Sequence, residues 1–254
     1  MKILVTGSNG QLGKTFQYNN VNLNNYIFCN KNDLNFLDKD KITNLLNKIN
    51  PQIVINCAAY TAVDDAENNE NIASAINFEA VEIISKWCNE NSSFLIHFST
   101  DYVFDGKKEK PYSETDIPKP LSVYGKTKYL GEQAFLNSSC PGICLRTSWV
   151  HSTYGKNFYL TMKSLFIKNQ IVKIVNDQFG VPTTTNFLVK ISEIIIKQNL
   201  KKKDTPKILH AVPSNYTNWY EFGLVILENL KKIKDKNLLI NCEKVIPISS
   251  YELN

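Results

Sequence analysis

Tyr124 and Lys128 stand one helical turn apart in Ser122-Val123-Tyr124-Gly125-Lys126-Thr127-Lys128, so a helix would project a phenol and an ammonium from one face. An unperturbed phenol, with a pKa of ~10, is a poor acid at neutral pH, and bringing it to ~7 would take roughly 4 kcal/mol of preferential stabilisation of the phenolate. A neighbouring ammonium is one source of that stabilisation. Upstream, Thr100 follows the apolar run Phe94-Leu95-Ile96-His97-Phe98-Ser99. The run reads as a buried strand, and the threonine hydroxyl at its tip is placed to hold a substrate oxygen beside the phenol. A Y-x-x-x-K pair alone is commonly no more than a surface helix pair. A threonine at a strand tip and a phosphate-binding turn in the same chain give it a chemical reading, proton transfer at a carbonyl being reduced.

That turn opens the chain. Ile3-Leu4-Val5 is a short apolar run broken by Gly7, and Gly7, Gly10 and Gly13 follow at G-x-x-G-x-x-G spacing before a segment that is helical in pattern from about Gln11 to Tyr18. The order strand, tight turn, helix is that of a dinucleotide cradle: glycine supplies positive φ, close approach to a pyrophosphate and close packing of helix on strand, and the helix N-terminus offers free N–H groups to the phosphate charge. An oxidised nicotinamide would then be a second positive charge near the phenol. The ribose-reading position at the end of the second strand, Tyr26-Ile27-Phe28-Cys29, is followed by Asn30-Lys31-Asn32, with no carboxylate at the tip. Lys31 suits a 2′-phosphate, which inclines the reading to NADP over NAD.

Six segments carry a resemblance beyond these motifs: the Gly7/Gly10/Gly13 turn, Asn56-Cys57-Ala58-Ala59-Tyr60-Thr61-Ala62-Val63-Asp64, Ser99-Thr100-Asp101-Tyr102-Val103-Phe104-Asp105-Gly106, Tyr124-Gly125-Lys126-Thr127-Lys128, Arg146-Thr147-Ser148-Trp149-Val150 and Asn176-Asp177-Gln178-Phe179-Gly180-Val181-Pro182-Thr183. In this order the chain resembles the dTDP-4-dehydrorhamnose reductases, a branch of the extended short-chain dehydrogenase/reductases. The resemblance implies hydride transfer from NADPH or NADH to the C4 ketone of dTDP-4-dehydro-L-rhamnose. By it, Tyr124 protonates the nascent alkoxide, Lys128 holds the nicotinamide ribose and favours the phenolate, Thr100 orients the ketone, Asp101 positions the substrate and Trp149 lines the sugar pocket. Gly7, Gly10, Gln11, Leu12, Gly13, Asn30, Lys31, Ala58, Ala59, Tyr60 and Thr61 contact the cofactor, with Asn35 and Phe36 where the family touches adenine. The family continues beyond the point matching Ile248–Asn254 with an Arg-Pro-containing segment that closes over the substrate, so a shortened substrate lobe is expected. Arg146 is the single arginine among 29 lysines and arginines, which leaves no bidentate phosphate clamp in the C-terminal half.

Two relatives of different chemistry are weighed on the same residues. A sugar-nucleotide 4,6-dehydratase needs an acidic pair after the threonine, whereas Thr100 is followed by Asp101 and then Tyr102. The regulatory β subunit of methionine adenosyltransferase is similar to this family and acts by docking; the retained Thr100, Tyr124 and Lys128 favour catalysis. Reduction of another nucleotide-linked keto-sugar stays open.

The elements required are those of an α/β fold, a Rossmann-type doubly wound parallel sheet with a smaller C-terminal substrate-binding lobe. Apolar strands near 3–5, 26–29, 53–57, 94–98 and 143–147 alternate with helical stretches near 11–18, 39–49, 71–90, 123–136 and 184–199. The expected division is a nucleotide domain over 1–155, rejoined by 182–212 with Ile208–Val212 as a late strand, and a lobe of 156–181 and 213–254. Ligand is expected at the C-terminal strand ends, between the lobes. At 254 residues and 43% apolar content the chain can build a substantial core. No stretch approaches the ~20 apolar residues of a membrane span, so a cytoplasmic protein without membrane association is expected. Six dispersed cysteines suit reduced thiols. Cys140-x3-Cys144 lacks a second pair, so no metal site is expected, and His97, His151 and His210 read as core or edge histidines. The net charge of +5 is modest; Lys201-Lys202-Lys203-Asp204 reads as a solvated loop with no nucleic-acid role. The partner expected is a nucleotide sugar, with a homodimer open as the assembly.

Overall fold

The computed structural model describes residues 1–19, 24–198, 207–233 and 239–253. In chain order the elements are β1 (Ile3–Thr6), α1 (Gln11–Asn19), β2 (Tyr26–Cys29), α2 (Lys39–Ile49), β3 (Ile53–Asn56), α3 (Val63–Ala66), α4 (Glu70–Ser74), a π-helical segment (Ala75–Glu79), α5 (Ala80–Glu90), β4 (Phe94–Thr100), α6 (Val123–Asn137) and β5 (Gly142–Thr147). There follow β6 (Val150–His151), α7 (Phe158–Lys168), β7 (Ile171–Val175), β8 (Phe179–Gly180), β9 (Thr183–Thr184), α8 (Thr185–Lys197), β10 (Ile208–His210), β11 (Thr217–Asn218), α9 (Trp219–Lys232) and β12 (Lys244–Ile248). Two compact units divide them, Met1–Thr147 with Asn186–Ala211, and Ser148–Thr185 with Val212–Asn254.

In the first unit six parallel strands pair in the order β10-β5-β4-β3-β1-β2. Strands buried on both faces need apolar residues at successive positions, and β1, β3 and β4 are buried along their whole length. One face carries Leu4, Val54 and Leu95, packed with Ile42 and Leu46 of α2, Ile84 and Trp87 of α5 and Phe135 of α6. On the other, Val5, Ile55, Ile96 and Ile143 are register partners, each fully buried. Each such side chain contributes about 1.5–3 kcal/mol by leaving water. The chain leaves β1 for β2 on one side and then returns to β3 on the other, so the strand order reverses at the tips of β1 and β3, the place where such sheets receive ligands.

Local signals fix the helix ends. Asp38 caps α2 by accepting from the Lys41 N–H, and Asn50 ends it in the left-handed region at φ 49°. Ser122 caps α6 on the Gly125 N–H at 3.1 Å. The helical stretch expected over 71–90 is α4, the π segment and α5 in series; its wider turn carries the buried Asn77. Helix α6 lies close to its neighbours because two of its residues lack side chains. A Cβ on Gly125 would stand 2.3 Å from the Tyr102 carbonyl oxygen, and one on Gly131 2.2 Å from that of Asn77.

In the second unit β7 pairs in parallel with β12, and α7 and α9 cover them through Met162, Phe166, Val172, Ile174, Ile226 and Leu230. The contact boundary falls after Thr147, not at 155, and the returning segment is 186–211 in place of 182–212. The reason is local: β6 pairs with β9, which draws 148–155 and 182–185 into the second unit. All six cysteines are free. Among the described residues no helix is long and apolar enough to cross a membrane, and no group of His, Cys, Asp and Glu is arranged to hold a metal ion. Lys201-Lys202-Lys203-Asp204 lies outside the described residues.

The single arginine is part of the core. Arg146 Nε donates to Glu132 Oε1 at 2.9 Å and Nη2 to Oε2 at 2.7 Å, with Arg146 4% and Glu132 0% exposed, and the guanidinium lies over Phe104. The bidentate pair ties α6 to β5. Arg146→Met, which leaves the carboxylate buried and alone, should lower unfolding free energy in urea titrations by about 3–5 kcal/mol. A double variant, Glu132→Leu with Arg146→Met, should recover most of that loss.

Candidate active site

The three glycines of the opening turn have different surroundings. Gly7 sits at φ +63°, and a Cβ there would come within 2.7 Å of Ala58 N and Cα. A Cβ on Gly13 would stand 2.4 Å from the Gly7 carbonyl oxygen, so α1 could not lie against the turn. Gly10 is exposed, and a Cβ there would meet only Gly7 O, at 3.2 Å. The first and third glycines are thus required by the fold. The second leaves space above the N-terminus of α1, beside Gln11 and Leu12, where backbone N–H groups favour phosphate. The cradle fits a dinucleotide pyrophosphate.

At the tip of β2, Asn30 takes the Asp33 carboxylate onto its backbone N–H at 2.9 Å and offers its own Oδ1 to the Asn32 N–H at 2.7 Å. A carboxylate therefore does stand near this tip, contrary to the sequence reading, because the turn folds Asp33 back onto Asn30. Lys31 is exposed. Asn35 Oδ1 accepts from the Leu37 N–H at 3.2 Å, and Phe36 is 7% exposed and packed in the core under β2.

Beyond β3, Ala58, Ala59 and Tyr60 are half-buried and Thr61 is exposed. Asn77 of the π segment fixes this loop: Oδ1 accepts from the Tyr60 N–H at 2.9 Å, and Nδ2 donates to Tyr60 O and to Thr127 Oγ1, each at 3.1 Å. A single buried amide thereby joins the loop to α6. The sequence reading did not single it out, although an asparagine inside the apolar run Ala75-Ile76-Asn77-Phe78 is the kind of buried polar group that must find partners.

Thr100, Asp101, Tyr124 and Lys128 come together at the end of β4. The Thr100 hydroxyl donates to Asp101 Oδ1 at 3.1 Å and accepts from the Tyr102 N–H at 3.2 Å, and it neighbours the Tyr124 phenol. The Tyr102 ring meets that of Tyr124 edge to face, 5.5 Å between centroids. Burial raises the Tyr124 phenol; the neighbouring Thr100 hydroxyl opposes this, and Asp101 and Tyr102 add to it. Lys128 is 2% exposed, and its Nζ donates to the Phe98 carbonyl at 2.6 Å. Desolvation lowers it to about 8, against the upward pull of Cys144 and Glu132. Asp101 is raised to about 6, again by desolvation. The Lys128 ammonium is engaged by a backbone carbonyl, and burial is the largest influence on the Tyr124 phenol. A proton-donating phenol is the result.

Under this group lies a row the sequence reading left as ordinary core. Thr6 donates to Asn56 Oδ1 at 2.6 Å, and Asn56 Nδ2 lies 3.2 Å from His97 Nδ1. His97 is fully buried, as expected of a core histidine, but it stands in the floor of the site.

Within the second unit Trp149 adopts a positive φ of 44° and stacks on Trp219 with ring centroids 3.3 Å apart and planes at 7°. Gly180 makes room for the ring, since a Cβ there would be 2.3 Å from Trp149 Cε2. Trp219 Nε1 donates to Gln178 Oε1 at 3.2 Å. Trp219 and Gly180 complete a platform of which sequence reasoning named only Trp149.

The model of the family described as RmlD substrate binding domain matches residues 1–254. The chain is 36% identical over 255 residues to the dTDP-4-dehydrorhamnose reductase of Escherichia coli (strain K12), covering 99% of this chain and 85% of that protein. Its fold is similar to the crystal structure of dTDP-4-dehydrorhamnose reductase from Bacillus anthracis str. Ames in complex with NADP, with a TM-score of 0.87 and 31% identity over 100% of this chain and 86% of that one. A reductase ortholog of the same name from Clostridium acetobutylicum superposes with a TM-score of 0.90 at 32% identity, covering 100% and 86%. A dinucleotide cradle and a Thr-Tyr-Lys group at the tips of a doubly wound sheet therefore stand in a chain that belongs to the dTDP-4-dehydrorhamnose reductase family.

Proposed function

We propose that the protein reduces the C4 ketone of dTDP-4-dehydro-L-rhamnose to the alcohol of dTDP-L-rhamnose, with NADPH or NADH as reductant. The observation that carries this reading is the meeting of Thr100 and Asp101 at the tip of β4 with Tyr124 and, one turn along α6, the buried Lys128. The bound reduced nicotinamide supplies a hydride to the carbonyl carbon. Tyr124 delivers its proton to the carbonyl oxygen as the C=O π pair moves onto that oxygen, and the phenolate left behind recovers a proton from solvent. At neutral pH the phenol is protonated before reaction begins, and the positive charges of Lys128 and of the oxidised nicotinamide would stabilise the phenolate as it forms. Thr100, held by Asp101, orients the ketone oxygen; Asp101 helps position the substrate. Lys128 presents a fixed ammonium to the nicotinamide ribose.

Gly7, Gly10, Gln11, Leu12 and Gly13 take the pyrophosphate in this reading, and Ala58, Ala59, Tyr60 and Thr61 form the other wall. Asn30, Lys31, Asn35 and Phe36 take the adenosine end. At the tip of β2 the exposed Lys31 supports NADPH and the Asp33 carboxylate on Asn30 supports NADH. Trp149, backed by Trp219, gives the sugar a flat apolar face.

Loss of reduced-nicotinamide absorbance with enzymatically generated dTDP-4-dehydro-L-rhamnose tests the proposal. Tyr124→Phe should cut turnover by about 10²–10⁴-fold while leaving NADPH affinity near wild type; near-normal turnover in the variant would overturn the acid role. NADPH binding without turnover in the wild type would favour the docking alternative or a different keto-sugar. Lys128 carries its charge below its pKa, so NADPH affinity should fall as pH rises through about 8. Lys128→Met should weaken binding at all pH values and abolish that dependence, as read by fluorescence titration of the cofactor.

A further inference from the structure

Trp149 holds a conformation that its residue type disfavours. Its φ of 44° lies in the left-handed region, where a bulky aromatic residue persists only if its surroundings fix it. Its backbone is pinned at the carbonyl, which accepts from the Thr183 N–H at 3.2 Å and lies 3.2 Å from His151 Nδ1. Its indole is held by the stack on Trp219, 3.3 Å between centroids, in the room that Gly180 leaves. Trp219 is placed in turn by local structure. Asn218 caps α9 by accepting from the Glu221 N–H at 2.8 Å, which makes Trp219 the first residue of that helix. Phe158 packs on the Trp219 ring with centroids 4.4 Å apart.

The polar edge of Trp219 enters a chain of hydrogen bonds whose direction the donor types dictate. An indole N–H can only donate, so Gln178 meets Trp219 Nε1 with its carbonyl oxygen, at 3.2 Å. The amide nitrogen of Gln178 is thereby turned to Ser250 and donates to Oγ at 2.9 Å. Ser250 gives its own hydroxyl proton to Asp177 Oδ1 at 2.7 Å, and its backbone N–H lies 3.0 and 2.9 Å from the two oxygens of the same carboxylate. The chain thus runs from the stacked indole to the 3₁₀ turn Ser250–Leu253 that follows β12, within the second unit throughout.

We propose that Trp219 is a positioning residue for Trp149, itself oriented through Gln178 by Ser250, so that the turn after β12 sets the indole that meets the sugar. The proposal rests on the reductase reading for the role of Trp149. Without the stack, nothing on that side of the ring opposes relaxation of Trp149 out of the left-handed region. A change at φ redirects the Cα–Cβ bond, so the indole leaves its place.

Steady-state reduction of dTDP-4-dehydro-L-rhamnose, NADPH titration and acrylamide quenching of tryptophan emission test this together. In Trp219→Leu, KM for the sugar nucleotide should rise roughly three- to tenfold with kcat little changed, because the stack serves binding and not the reacting atoms. NADPH affinity should hold, since the glycine turn belongs to the first unit. Trp219→Phe, which keeps a ring against Trp149, should recover most of the loss. Ser250→Ala should raise KM by about threefold, and Ser250→Thr, which keeps the hydroxyl, should recover it. Both Trp219 variants emit from Trp87 and Trp149, and Trp87 is 4% exposed, so the difference in quenching between them reports Trp149. Stronger quenching in Trp219→Leu than in Trp219→Phe is expected. Equal quenching of the two folded variants overturns the proposal, as does a lower melting temperature with KM unchanged. A loss of NADPH affinity as large as the rise in KM also overturns it, marking a general disturbance. Absence of turnover in the wild type overturns the reductase reading, and the quenching comparison still decides whether Trp219 holds Trp149.

Discussion

The site depends on how closely α6 can lie against β4. A lysine ammonium is costly to bury unless something receives its protons, and Lys128 meets that demand by donating to the Phe98 carbonyl at 2.6 Å. The contact requires the helix backbone to descend onto its neighbours, which Gly125 and Gly131 allow at the Tyr102 and Asn77 carbonyls. Ser122 then fixes where the helix begins, and the Glu132–Arg146 pair holds its middle to β5. With those constraints met, Tyr124 has one place to be, beside Thr100.

The same burial sets the electrostatics. Desolvation penalises whichever form is charged, so it moves a phenol up and an ammonium down. Tyr124 is raised and Lys128 brought to about 8 chiefly by this cause. The phenol is kept as a donor until an alkoxide forms beside it, and the lysine stays charged at neutral pH while remaining sensitive to its few neighbours. The buried row Thr6–Asn56–His97 extends this economy under the strand tips, satisfying polar groups in sequence across three strands.

Much of the fold was legible because its signals are local or periodic. Apolar runs at 3–5, 53–57 and 94–98 could only be strands buried on both faces, and β1, β3 and β4 fall there. The glycine spacing identified the turn but treated its three members alike. Only the neighbours found in space separate Gly7 and Gly13, which the backbone crowds, from Gly10, which it leaves open. The domain boundary was read late because β6 and β9 are two-residue strands, too short for any pattern, and their pairing is non-local.

By itself the sequence determined the chemistry available: a Thr, Tyr and Lys at strand-tip and helical spacing, and a phosphate-binding turn. These follow from residue types and from the fixed periods of helix and strand. The tertiary structure decided the state of those groups. That Tyr124 comes to stand beside Thr100, that Lys128 reaches a backbone carbonyl, that Asn77 binds the Tyr60 loop to α6, and that His97 is buried at the end of a hydrogen-bonded row all depend on residues distant in the chain. Burial and hydrogen-bond partners exist only once distant segments meet, and those two quantities turn a list of side chains into a site.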